Sequence, residues 1–148
     1  MEQRMPRRTW SGPKVAGGHP RLLIEASLPA LAISDFRLFQ QAGFDVAFCP
    51  GPGSDLRSCP LLHGRRCVLA DKADVVLHGL DPRLGIATAI RRQRPELPVV
   101  VEQSRQRDGT VGPVPAGCAP LSYPCSVRGQ IDALWRAVSG GATQTKRR

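Results

Sequence analysis

Residues 21–49 read RLLIEASLPALAISDFRLFQQAGFDVAFC, and this stretch decides the fold. Arg21–Ser27 opens with a short apolar run, too short for a helix and suited to a strand buried on both faces. Ser27 can cap a helix, with Pro29 acceptable in its first turn. Leu28, Leu31, Ala32, Phe36, Phe39 and Ala42 then recur at steps of three and four, which gives one apolar helical face. Gly43 stands where a left-handed residue ends such a helix. Phe44–Cys49 is apolar again and reads as a second strand. Strand, helix, glycine and strand in this order make a parallel unit.

Beyond Cys49 the pattern lapses. Pro50, Gly51, Pro52, Gly53, Pro60 and Gly64 break regular structure through residues 50–72. ADVVLHGL at 73–80 restores a buried strand. Asp81-Pro82 then reads as cap and first-turn proline of a helix whose apolar side is Leu84, Ile86, Ala89 and Ile90. Arg91, Arg92 and Arg94 lie at its end, where cations oppose the negative pole of the helix dipole. PVVVE at 98–102 is a fourth strand, and residues 104–118 read as a loop. Ala119–Tyr123 is a short fifth strand. Ser126 caps a last helix carrying Val127, Ile131, Leu134, Trp135 and Val138 on one stripe, with Gly140-Gly141 as its stop. Strands alternating with helices imply a parallel sheet with right-handed crossovers and helices on both faces. Five strands in this length suit an α/β, flavodoxin-like sheet of order 2-1-3-4-5. The connections after strands 2 and 4 are too rich in Gly and Pro for full helices.

At 148 residues with 41% apolar and 22% charged side chains, the chain reads as one globular domain rather than a disordered or fibrous one. No apolar run approaches the roughly 20 residues that cross a bilayer. MEQRMPRRTW carries charge with no apolar stretch behind it, unlike a secretory signal. The expectation is a cytoplasmic protein with no membrane contact and reduced thiols. The net charge of +9 is uneven. Arg4, Arg7, Arg8 and Lys14 stand against Glu2 near the start, and Lys146, Arg147 and Arg148 close the chain. Residues 1–20 and 140–148 therefore read as flexible basic tails around a domain at 21–139. Such tails suit RNA, ribosome or DNA contact through counterion release; a merely solvated tail reads the same way. Trp10 can stack on a base or pack against the sheet.

Over residues 21–139 the stretches LLIEASLP, QQAGFDV, ADVVLHGLDP, LPVVVEQS and SYPCSVRGQIDALWRAV make the chain resemble the receiver domains of bacterial response regulators. The resemblance implies an acidic pair after the first strand that holds Mg²⁺ and a phosphoacceptor Asp ending the third. It also implies a hydroxyl after the fourth strand and a Lys-Pro after the fifth. At those positions stand Glu25-Ala26, Gly79, Gln103 and Tyr123-Pro124. A glycine has no side chain to phosphorylate, and one carboxylate is too few for Mg²⁺. Asp81, two residues beyond Gly79, reads as a helix cap. The resemblance thus implies a pseudo-receiver that kept the scaffold and lost the switch chemistry.

Three of the five cysteines fall in CPGPGSDLRSCPLLHGRRC at 49–67. No C-x₂-C pair marks a structural zinc site. Strands 2 and 5 lie about 19 Å apart at ~4.8 Å per strand spacing, so Cys49 and Cys125 do not share an ion. Cys118, before strand 5, faces the other edge. The remaining candidate zinc set is Cys49, Cys59 and Cys67 with His63 or His78. A redox-active thiol pair and plainly buried thiols stay open beside it. Arg65 and Arg66 next to Cys67 would favour its thiolate. No phosphate loop and no nucleophile elbow occur.

The expectation is a non-catalytic, regulatory binding module with a protein partner, a second copy included, whose tails contact nucleic acid. The alternatives are a protein–protein adaptor or dimerisation module in transcription control with inert tails, and an enzyme built on a reactive cysteine.

Overall fold

The structure, a computed structural model, describes residues 9–10, 12, 17–26, 33–103, 114–122 and 125–144. Five parallel strands run in the order β2-β1-β3-β4-β5, with β1 at Arg21–Glu25, β2 at Asp45–Cys49, β3 at Val75–His78, β4 at Val99–Gln103 and β5 at Ala119–Ser122. Helices α1 (Ile33–Gln41), α2 (Val68–Lys72), α3 (Ile86–Gln93) and α4 (Val127–Gln144) cover it. The expected order and parallel sense are those observed.

The period-2 alternation of the strands builds two cores. Leu22, Ile24, Val46, Val75, Leu77 and Val100 face Phe36 and Phe39 of α1 and Leu134 of α4. Leu23, Ala47, Val76, Val99 and Val101 face Ala70 of α2 and Ile86 and Ile90 of α3. Because both faces are covered, the central strands are apolar along their length.

Gly43 closes α1 as expected. Its φ of +101° lets its N–H reach the Gln40 carbonyl and the Phe44 N–H reach that of Phe39. Trp135 of α4 seals the turn, donating from Nε1 to the Ala42 carbonyl at 3.1 Å while its ring lies 4.7 Å from that of Phe44. Trp10 also belongs to the core. It is 2% exposed, its Nε1 donates to the Asp45 carbonyl at 3.0 Å, and the Arg21 guanidinium sits over its ring. Of its two readings, packing on the sheet is the one found, so residue 10 is structural although its neighbours look like a tail.

The connection after β2 holds the reduced helix expected of it, 3₁₀ turns at Leu56–Ser58 and Pro60–His63 and then the five-residue α2, and two other local readings, at Asp81 and at Gly140, are corrected. No side chain caps the N-terminus of α2 at Cys67; at its C-terminal end Arg94, which follows α3, donates from one guanidinium nitrogen to the carbonyls of Ala70, Asp71 and Ala73 at 2.8–3.1 Å. That cap comes from distant sequence, so a local pattern cannot show it. Asp81 and Pro82 begin a 3₁₀ turn, and α3 restarts after Gly85 at φ +74°. Finally, α4 runs through Gly140-Gly141 to Gln144. A glycine stops a helix by turning left-handed, and Gly140 has no positive φ. After β4, residues 114–118 form no helix, and 104–113 lie outside the described residues.

Candidate functional site

Ligands of such sheets gather at the carboxyl ends of the strands, and the unusual polar groups of this chain are there. The parallel register sets Cys49, Glu25, His78 and Val101 side by side across β2, β1, β3 and β4. Glu25 and His78 are 3% and 2% exposed, and Glu25 Oε1 lies 2.7 Å from His78 Nδ1. Isolated, either group would cost several kcal/mol to bury in ionised form; the short hydrogen bond offsets part of that.

Gly79 follows β3 and is exposed, at the position the resemblance gives to the phosphoacceptor. A Cβ there would stand 3.1 Å from Oε2 of Glu102 and 3.4 Å from the Glu25 carbonyl. The carboxylate of Glu102 thus stands close beside position 79, near enough that a Cβ there would press it back by a few tenths of an ångström. Gln130 of α4 holds it, donating from Nε2 to Oε1 at 2.9 Å. Partial burial raises the Glu102 pKa, and the charge of nearby His78 opposes that rise. Asp81, the other acid near this position, turns outward: it accepts from the Arg83 backbone N–H and pairs with its guanidinium. Cap and ion pair lower its pKa.

Cys49, Cys59 and Cys67 line a common cavity together with Glu25. His63 does not join them; its Nε2 is 3.3 Å from the Leu56 carbonyl. His78 is held by Glu25. Among the described residues no group of three or more His, Cys, Asp or Glu side chains is placed to hold a metal ion. Burial raises the pKa of Cys49 and of Cys67, with Glu25 adding to both. The expected thiolate at Cys67 is thus corrected: Arg66 is committed to Asp71 at 3.0 Å, and desolvation dominates. Cys118 packs with the α2/α3 core and Cys125 with the α1/α4 core, so the two lie on opposite faces.

Arg4, Arg7, Arg8, Lys14, Lys146, Arg147 and Arg148, the nucleic-acid candidates, lie outside the described residues, as do Tyr123 and Pro124. Sequence reasoning missed the Glu25–His78 pair and the role of Glu102. The signal for the first was present: a histidine inside an otherwise apolar strand, in register with a glutamate of its neighbour.

No family model and no curated protein matches the sequence. Solved structures do match. A response regulator receiver domain from Methanospirillum hungatei superposes with a TM-score of 0.60 at 14% identity, covering 86% of this chain and 99% of its own. A response regulator receiver protein from Sinorhizobium medicae gives 0.57 at 16%, covering 83% and 97%. A protein described as pilus assembly-related, from Burkholderia pseudomallei, gives 0.54 at 18%, covering 82% and 91%. The chain has the receiver fold. On the receiver scaffold the third strand runs into Gly79, with a carboxylate from the fourth strand set beside it. No helix among the described residues is long and apolar enough to cross a membrane.

Proposed function

We propose that this chain is a regulatory, receiver-like binding module that works without aspartyl phosphorylation and without catalysis. One observation carries the reading: Gly79 follows the third strand at the acceptor position with no side chain to phosphorylate, and the Glu102 carboxylate stands beside it. The buried Glu25–His78 pair supports it further, because the one carboxylate left of the acidic pair is committed to an imidazole. Among the described residues no aspartate stands at the acceptor position and no group of three or more His, Cys, Asp or Glu is placed to hold a cation, which favours recognition of a partner protein as the work of the scaffold. A second copy of the chain is one form that partner can take. Beryllofluoride with Mg²⁺ probes this directly, because it mimics a phosphoryl group only on an acceptor carboxylate. The amide signals of residues 78–81 and 102 should stay where they are; a stoichiometric shift confined to them contradicts the reading.

The finer part concerns the tails, supported by the charge of residues 1–14 and 146–148. Binding to a fluorescent RNA hairpin should fall steeply with salt and vanish on removing residues 1–8 and 145–148, a cut that spares the buried Trp10. Binding unchanged by the cut would leave the adaptor or dimerisation reading with inert tails. Zinc at Cys49, Cys59, His63 and Cys67 requires movement of the 50–67 segment, and elemental analysis of anaerobically purified protein beside Cys49→Ser tests it. Retention in a cytoplasmic fraction belongs to the same reading.

A further inference from the structure

The cavity beside the Glu25–His78 pair lies on the sheet face opposite the Glu102 side chain, and the proposed function leaves it unused. It measures about 320 Å³ and is bounded by the ends of β1 and β2, segment 51–61, α2 and the start of α3. That is the lower end of the range, about 300–1,000 Å³, in which proteins hold small organic ligands. Leu61, Leu69, Leu80 and Ile86 form its walls. Glu25 contributes a carboxylate that is 3% exposed. Among the described residues its one side-chain hydrogen bond is through Oε1 to His78.

Of the charged side chains that line the cavity, Glu25 is buried at its inner end and Arg66 is exposed at the rim. Glu25 bonds the imidazole of His78, and Glu102 interacts with it electrostatically. Glu102 faces α4 on the other side of the sheet, so the carboxylate that meets the cavity is that of Glu25. Apolar surroundings strengthen the pull of such a charge on a cation. The thiols of Cys49 and Cys67 are kept neutral by burial and present soft, polarisable walls suited to an aromatic ring. Arg66, the cation at the rim, is paired with Asp71.

We propose that this cavity binds a small primary amine with an apolar, preferably aromatic body, its ammonium group on the Glu25 carboxylate and its body against Leu61, Leu80 and Ile86. The proposal stands apart from the reading of Gly79 and survives or fails without it.

The test titrates the full chain with benzylamine, benzyl alcohol and benzoate while following the methyl signals of Leu61, Leu80 and Ile86. Benzylamine should shift these signals. Benzyl alcohol, of the same shape, should bind at least about tenfold more weakly, the value of one charge-assisted hydrogen bond, and benzoate should leave the signals unmoved. Glu25→Gln should erase the preference for amine over alcohol. Should loss of the His78 partner unfold that variant, Leu69→Trp, which fills the cavity and leaves the pair intact, should abolish the amine response. Equal binding of amine and alcohol overturns the proposal, as do preference for benzoate, a wild-type chain that ignores benzylamine, and unchanged binding by Leu69→Trp.

Discussion

On one face of the sheet, α1 and α4 press Phe36, Phe39 and Leu134 into an apolar core, and a glycine and a tryptophan seal the turn between α1 and β2. On the other face, α2 is five residues long and its carbonyls are held by Arg94 of α3, while Gln93 donates to the Arg65 carbonyl at 2.7 Å. The first face is written locally, as apolar stripes at helical spacing. The second has an apolar core too, but its short α2 is tied down by polar side chains reaching across 21–28 residues of sequence. Stability should therefore be concentrated in the first face and plasticity in the second, and that second face carries the cavity.

Substitutions can break this contrast. Phe39→Ala, at a fully buried site of the α1/α4 core, should cost about 3–5 kcal/mol in chemical denaturation. A cost as small as that of a surface change would remove the contrast. Arg94→Met keeps the stem and deletes three hydrogen bonds to carbonyls. It should cost about 1–3 kcal/mol and raise amide exchange in residues 64–72 first, leaving α1 and α4 protected. Uniform loss of protection would mean that the two faces open as one unit. Gly43→Ala forces a side chain into positive φ and places its Cβ 3.3 Å from the Trp135 ring; about 1–2 kcal/mol should be lost.

The smallest effect is the most specific. The Glu102 pKa is raised in the folded chain, so the folded state holds this proton more tightly than the unfolded one. Its contribution is full below the ordinary glutamate pKa and declines as pH rises through the folded value. Glu102→Gln removes the titration and keeps the acceptor for Gln130. The wild type should therefore lose stability relative to this variant as pH rises above the ordinary glutamate range; a wild type that gains there contradicts the burial argument.

The α1/α4 face was legible from the steps of Phe36, Phe39 and Ala42, the Gly43 stop and the Val127–Val138 stripe, while Ser27, Leu28, Pro29, Leu31 and Ala32 lie outside the described residues. Strand order came from alternation and length. What escaped had tertiary causes. The start of α3 moved because Gly85 turned left-handed, and α4 passed Gly140 because that glycine did not. At the candidate site Gly79 was visible, since a missing side chain is a local fact. Glu102 was not, since it comes to stand beside Gly79 from a neighbouring strand. The cysteines drew attention by their spacing, yet burial makes them poor thiolates.

The most direct test is chemical. The chain is incubated with Mg²⁺ and acetyl phosphate, and its intact mass is read before and after hydroxylamine, which cleaves acyl phosphates. The account predicts an unchanged mass, and a phosphoryl adduct that hydroxylamine removes, mapped to residues 78–81 or to Glu102, would contradict it.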